Sequence, residues 1–350
     1  MPYGDVLDPG QLAAPPLPAP RGPWTEWLLT TLTGTPGTVG TPPPVEASVM
    51  RDDDLALALY CLYELHYRGF ADVSDEWEWD PGLLAARRLL EEHFEAELRE
   101  VTTGPDLPPL PEALYAAIGE GDAPSVARYL AEHGTVEQFQ EFVIHRSAYQ
   151  QKEADPHTWA LPRLAGAPKA ALIEIQADEY GQGIERDMHQ NLFTVTMAEL
   201  GLDPSYNSYL EDLPAESLTA VNTVSLFGLH RRLRGALVGH LAVYEMTSVE
   251  PMGISAETLR RLGYGPGARH FFEVHVVADA HHETVATEKL AAGLARQDPS
   301  LAPDIVFGAR AVTYVEGLVS HRLVSAWTRG ESSLRHGYGK KGLVSLRPAG

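Results

Sequence analysis

Cysteine occurs once, at position 61, so the chain can close no internal disulfide and build no multi-cysteine zinc or iron–sulfur site. Any bound metal has to be held by His, Asp and Glu, and there are 14 His to draw on. Positive charge is also scarce: 27 Lys and Arg against 48 Asp and Glu leave a formal charge of −21 over 350 residues. So acidic a surface repels phosphate backbones and anionic lipid heads, and neither a nucleic acid nor a membrane is an expected partner. No apolar run approaches the ~20 residues of a membrane-spanning helix. The opening residues, MPYGDVLDPGQLAAPPLPAP, have neither a basic start nor an apolar stretch, which argues against a secretory signal and for a cytoplasmic protein. Convincing period-two strands are missing, since the short run VHVVA sits inside a longer helical pattern. There is no phosphate-binding loop, and GYGPG follows no strand, so nucleotide chemistry has no foothold.

What remains is a helical pattern with a hydrophobic content of 44%, enough for a sizeable core. Residues 1–48 are rich in Pro and Gly and read as a largely irregular tail, within which Trp24 to Leu29 can dock onto the body. Residues 49–120 read as a helical extension and 121–335 as a helical bundle, with a C-terminal tail at 336–350. The fold class is therefore all-α. A helix capped by Thr135 is expected to run to about Asp155, where Pro156 interferes. A second spans Pro168 to Gly201, interrupted at Gly181 and Gly183.

Chemistry concentrates in a few places. His275, Asp279 and His282 stand at i, i+4 and i+7, so two imidazoles and a carboxylate share one helix stripe. That donor set suits iron, manganese or zinc, unless the stripe is merely an exposed polar face. Glu245 lies among Leu, Ala, Val, Tyr and Met, and a carboxylate buried there needs a partner or a metal. His189 precedes an apolar run, and Glu153 shares a stripe with His145 and Tyr149 that a structural face would also explain. The segment IEIQADEYGQG adds Glu174, Asp178 and Glu179. Ten residues separate Glu179 from His189, about 15 Å in a straight helix, so the two can share a metal only if the glycines break it. Glu64 and His66, at i and i+2, face different ways and read as structural. Tyr149, Tyr180 and Tyr244 neighbour the candidate ligands, and Arg231, Arg232 and Arg234 form a basic cluster that could meet a substrate carboxylate or simply face solvent.

Together, Glu153, Glu179, His189, Glu245, His275, Asp279 and His282 supply four carboxylates and three imidazoles, a set that dinuclear iron bundles project inward from facing helices. Over roughly 121–335 the chain resembles the heme-oxygenase-like diiron oxidases and oxygenases. The resemblance is carried by KEADPHTWALPRL, by ADEYGQG followed by His189, by Glu245, and by the H-x3-D-x2-H of His275, Asp279 and His282. It implies a seven-helix core in which those seven residues hold two Fe2+ ions. It further implies dioxygen as co-substrate and oxidation of a small-molecule substrate of amino-acid or fatty-acid type, by N-oxygenation or by carbon–carbon cleavage or desaturation. An external electron donor and a homodimer are both compatible with it. Some members carry a Glu three residues before the second-helix His; here that place is Arg186, so the extra carboxylate falls to Glu179 or is absent. A heme site would be ill served by four carboxylates, and Cys61 lies outside the bundle, away from where a thiaminase-like nucleophile would act. The remaining alternatives are a cofactor-independent oxidase on the same kind of bundle and a metal-free helical interaction module, the latter needing these seven residues in solvent or in salt bridges.

Overall fold

The computed structural model describes residues 13–336, and among these it contains helices and connecting loops but no strand. The chain is all-α. It begins with α1 (Pro23–Leu32), α2 (Asp53–Glu64), α3 (Pro81–Val101), α4 (Glu112–Gly119) and α5 (Val126–His133). The bundle continues through α6 (Val136–Gln150), α7 (Asp155–Thr158), α8 (Gly166–Glu179), α9 (His189–Glu199) and α10 (Ala215–Leu229). It closes with α11 (Arg234–Thr247), α12 (Val249–Arg261), α13 (Pro266–Thr284), α14 (Ala292–Gln297) and α15 (Ala302–Thr328), a π-helical stretch (Val285–Ala291) joining α13 to α14.

Local chemistry sets the helix starts. Asp52 caps α2 by accepting from the backbone N–H of Asp54 and Leu55, and Asp80 caps α3 just before Pro81. Thr135 and Gln138 close a reciprocal capping box on α6. That helix stops at Gln150, several residues short of the Asp155 expected from sequence. The ring of Pro156 would collide with the carbonyl of residue 152, so the chain must leave the helix before it gets there. The Pro/Gly-rich segment is anchored where Trp24 and Leu28 are buried in α1, and the Asp54 carboxylate accepts from the backbone N–H of Trp24 and Thr25, each at 2.8 Å. The expected tail residues 1–12 and 337–350 lie outside the described residues.

Residues from the N-terminal helices and the bundle share one apolar core. A wholly buried ion pair joins them: Lys152 Nζ donates to Glu64 Oε2 at 2.7 Å, while the Tyr206 hydroxyl donates to Glu64 Oε1 at 2.8 Å. Helices α11 and α15 make the closest long contact. A side-chain carbon at Gly239 would fall on the Ile305 carbonyl, and one at Gly308 on the Ala236 carbonyl, so both positions need glycine.

His145 lies in this core between two hydroxyls, Ser217 Oγ at 2.6 Å and Ser333 Oγ at 2.9 Å. Burial, assisted by Arg322 and Arg146, lowers its pKa to about 3. A histidine whose folded pKa lies below its unfolded value of about 6.5 leaves stability intact above that pH and removes it as pH falls towards the folded value. The wild-type protein should therefore lose about 2 kcal/mol more unfolding free energy than His145→Gln between pH 7 and pH 5. Urea titrations at both pH values read this directly, and equal losses would mean that His145 is already charged in the fold.

Candidate metal centre

The seven sequence-selected residues meet in the middle of the bundle. Helix α8 ends on Glu179 and α9 begins on His189, and between them the chain makes two 3-10 turns, Gly181–Gly183 and Glu185–Asp187. Gly181, Gln182 and Gly183 all have positive φ, 57°, 55° and 79°. The reversal brings His189 Nδ1 to 3.0 Å from Glu179 Oε2, where a straight helix would leave about 15 Å. The two glycines differ. A side chain on Gly181 would press into the Asp187–Met188 backbone, whereas one on Gly183 would meet open space.

Glu153 sits in the turn after α6, next to Ala154, whose φ of 73° lies in the left-handed region that alanine rarely adopts. Its Oε2 is 3.7 Å from His275 Nε2. On α13, His275, Asp279 and His282 are buried on one face, while the side chain of His281 is 63% exposed and pairs with Glu174 at the surface. Glu245 is buried on α11, its Oε2 3.4 Å from His282 Nδ1.

The donor atoms form two overlapping sets. Those of Glu153, Glu179, His189 and His275 lie within 4.8 Å of one another, as do those of Glu179, Asp279 and His282. Glu179 belongs to both, the position a bridging carboxylate takes. Neighbouring groups fix which atoms face inward. His275 Nδ1 donates to the Phe271 carbonyl at 2.7 Å, leaving Nε2 for the centre. His282 Nε2 donates to Asp178 Oδ2 at 2.9 Å, leaving Nδ1. Ser248 Oγ donates to Asp279 Oδ2 at 2.5 Å, leaving Oδ1. These inward atoms and His189 Nδ1 are buried and make no aligned hydrogen bond, although carboxylate oxygens stand 3.0–3.7 Å away. Buried polar atoms are seldom left so, and two such atoms in each set fit a bound cation.

Electrostatics agrees. Burial, with Asp279 and Glu179 beside it and His282 opposing, pushes the Glu245 pKa up to about 8. Burial alone would lower His275, but Glu153, Glu179 and Asp279 outweigh it and hold the ring up at about 10. Glu179, which burial would raise, is drawn down to about 2 by His189, His275 and His282. In the protein alone, protons on His275 and His282 offset the acids, a role a bound cation could take over.

A cavity of about 430 Å³ borders the centre, with Glu153, Glu179, Glu245, His275 and Asp279 in its wall. Tyr149 and Tyr244 line it, but Tyr180 is engaged with Asp155 and Thr158 outside it. Arg231, Arg232 and Arg234 are not in its wall; Arg232 pairs with Glu95 and Arg234 with Asp298. Glu64 and His66 are structural, paired with Lys152 and Glu78. Sequence reading missed the orienting groups Asp178 and Ser248, and the cavity residues Arg146 and Glu316. Asp178 was visible as an acid beside Glu179, but only the angle between α8 and α13 turns it towards His282.

Two tests follow from this geometry. His282→Ala should weaken Fe(II) binding by about tenfold or more, and His281→Ala by less than about twofold, because only the first ring faces inward. Calorimetric titration under anaerobic conditions separates them; the reverse order would place the stripe one residue away. Gly181→Ala should weaken Fe(II) binding more than Gly183→Ala, since both strain a positive-φ backbone but only the former also presses into the Asp187–Met188 backbone. Equal titration curves for the two variants would detach the break from the centre.

A family model described as iron-containing redox enzyme matches residues 140–317, just over half the chain and a range that contains all seven candidate ligands. The chain is also 26% identical over 157 residues to a nitrosourea synthase of Streptomyces achromogenes subsp. streptozoticus, a match covering 45% of this chain and 33% of that protein. It thus spans about a third of that relative's length.

Proposed function

We propose a non-haem diiron oxygenase acting on a small molecule, from the premise that the chain belongs to the iron-containing redox enzyme family. The observation that carries the reading is the convergence of the buried, unbonded atoms His189 Nδ1, His275 Nε2, His282 Nδ1 and Asp279 Oδ1 around the shared Glu179. One iron would be held by Glu153, His189 and His275, the other by Asp279, His282 and Glu245, with Glu179 between them. When bound, the iron pair supplies activation of dioxygen and the electrons to reduce it, an external donor restoring them.

The residues of the chain do the rest. Asp178 and the Phe271 carbonyl each hold a proton on the outer nitrogen of an imidazole, so that the inner nitrogen offers its lone pair. Ser248 keeps Asp279 turned so that one oxygen faces inward. Phe271, Phe272 and Leu241 in the cavity wall exclude water from the reacting region. A volume of about 430 Å³ suits a small metabolite, not a polymer. Among reaction outcomes, oxidation at nitrogen is favoured by the likeness to a nitrosourea synthase, since a nitrosourea carries an N–N=O group. Cleavage or desaturation of a carbon chain is the second outcome. A metal-free interaction module is disfavoured because the ligand atoms are buried and misaligned for pairing with each other.

Anaerobically loaded protein should contain two irons per chain, with Mössbauer spectra of high-spin Fe(II) that change on exposure to dioxygen. A single iron, or a preference for zinc that excess Fe(II) cannot displace, sinks the dinuclear reading.

A further inference from the structure

We infer that Arg146 anchors the carboxylate of an acid substrate in the cavity that borders the metal centre. The inference rests on the proposed function only in taking the cavity for the substrate site. Arg146 is the one Lys or Arg in the cavity wall among the described residues. It stands on the last turn but one of α6, while Glu153 lies in the turn beyond the end of that helix at Gln150. The rings of Tyr149 and Tyr244, 5.4 Å apart, also line the cavity. The wall nearby, including Phe142, Val243 and Val312, is apolar. The cavity wall therefore carries one cationic side chain, a carboxylate-rich metal centre and apolar side chains.

The guanidinium is aimed by its neighbours. Arg146 Nη1 donates to Glu316 Oε2 at 2.6 Å, and the Tyr244 hydroxyl donates to Glu316 Oε1 at 2.6 Å. Both oxygens of Glu316 are thereby engaged. Glu316 takes the guanidinium through one nitrogen, and a group with five N–H donors keeps others for a ligand. Burial works against its charge, but Glu316 more than compensates and keeps it protonated. A planar fork beside an apolar channel matches a carboxylate, which can accept two parallel hydrogen bonds from it. The acid end of the substrate would then sit away from the iron, with the atoms to be oxidised at the metal end. This arrangement differs from one in which the carboxylate itself binds the metal.

The test is calorimetry on the full chain, chelator-treated and Fe(II)-loaded in parallel, with hexanoate, octanoate and decanoate and the matching amides as probes. Octanoate should bind at least about tenfold more tightly than octanamide in both samples. Arg146→Gln should abolish that preference, Arg146→Lys should keep part of it, and His275→Ala should leave it in the metal-free protein. Equal binding of acid and amide, or binding of neither, overturns the anchor, and wild-type protein alone decides this if Arg146→Gln fails to fold. A preference lost in His275→Ala but kept in Arg146→Gln also overturns it, because the carboxylate then sits at the metal centre. Tighter binding of octylammonium than octanoate overturns it in favour of Glu316. Iron content measured on the same samples keeps the two readings apart: iron without an acid preference removes the anchor alone, and an acid preference without iron removes the diiron reading alone.

Discussion

Three buried carboxylates, Glu179, Glu245 and Asp279, are grouped with the half-buried Glu153 in an apolar bundle, and the rest of the fold answers to that burden. Withdrawing one ionised carboxylate from water costs on the order of several kcal/mol, and grouping acids adds repulsion. Three imidazoles supply the first compensation, visible in the lowered Glu179 and the raised His275. Protons, however, make a poor permanent settlement, since the rings carrying them do not align with the acids. The arrangement is balanced electrostatically and incomplete in its hydrogen bonds, the condition of a site organised around ions.

Holding these groups in place calls for irregular backbone, and the irregularities are braced. Glu153 precedes Ala154, whose left-handed conformation costs on the order of 1–3 kcal/mol. Two interactions clamp this turn from opposite sides. Gln176 Nε2 donates to the Ala154 carbonyl at 3.0 Å, and Lys152 reaches away from the centre into the buried pair with Glu64. The Lys152 ammonium also lies 4.5 Å from the ring centroids of both Tyr60 and Tyr67. Glu64, Tyr60 and Tyr67 all belong to the N-terminal part of the chain, which lies outside the range matched by the family model. That part is thus a support for the turn that carries Glu153.

The features legible in the sequence were those encoded by spacing. His275, Asp279 and His282 repeat at helical intervals, so their common face follows from periodicity, and the exposure of His281 follows with it. The glycines at 181 and 183 announced a break, although only coordinates distinguish Gly181, pressed against backbone, from Gly183, which is open. Pro156 marked a limit for α6 near Asp155 but not its end at Gln150, and the turn that follows carries Lys152, which pairs with the distant Glu64. Arg146 and Glu316 were invisible for a similar reason: they lie 170 residues apart, on helices where charged residues also serve the surface. Their meeting is decided by how α6 packs against α15, and no local pattern records it.

The contact between α11 and α15 ties the Arg146–Glu316 pair to the metal centre. Tyr244 and Glu245 follow one another on α11, one bonded to Glu316 and the other facing His282. Consecutive helical residues point about 100° apart, so a single stretch of α11 serves both the arginine and the metal centre. Glu316 lies on α15, and Gly239 and Gly308 bring the two helices together backbone to backbone. No side chain intervenes there to change rotamer, so the contact has little room to slide. The spacing between the Arg146–Glu316 pair and the metal centre is consequently set by main-chain geometry.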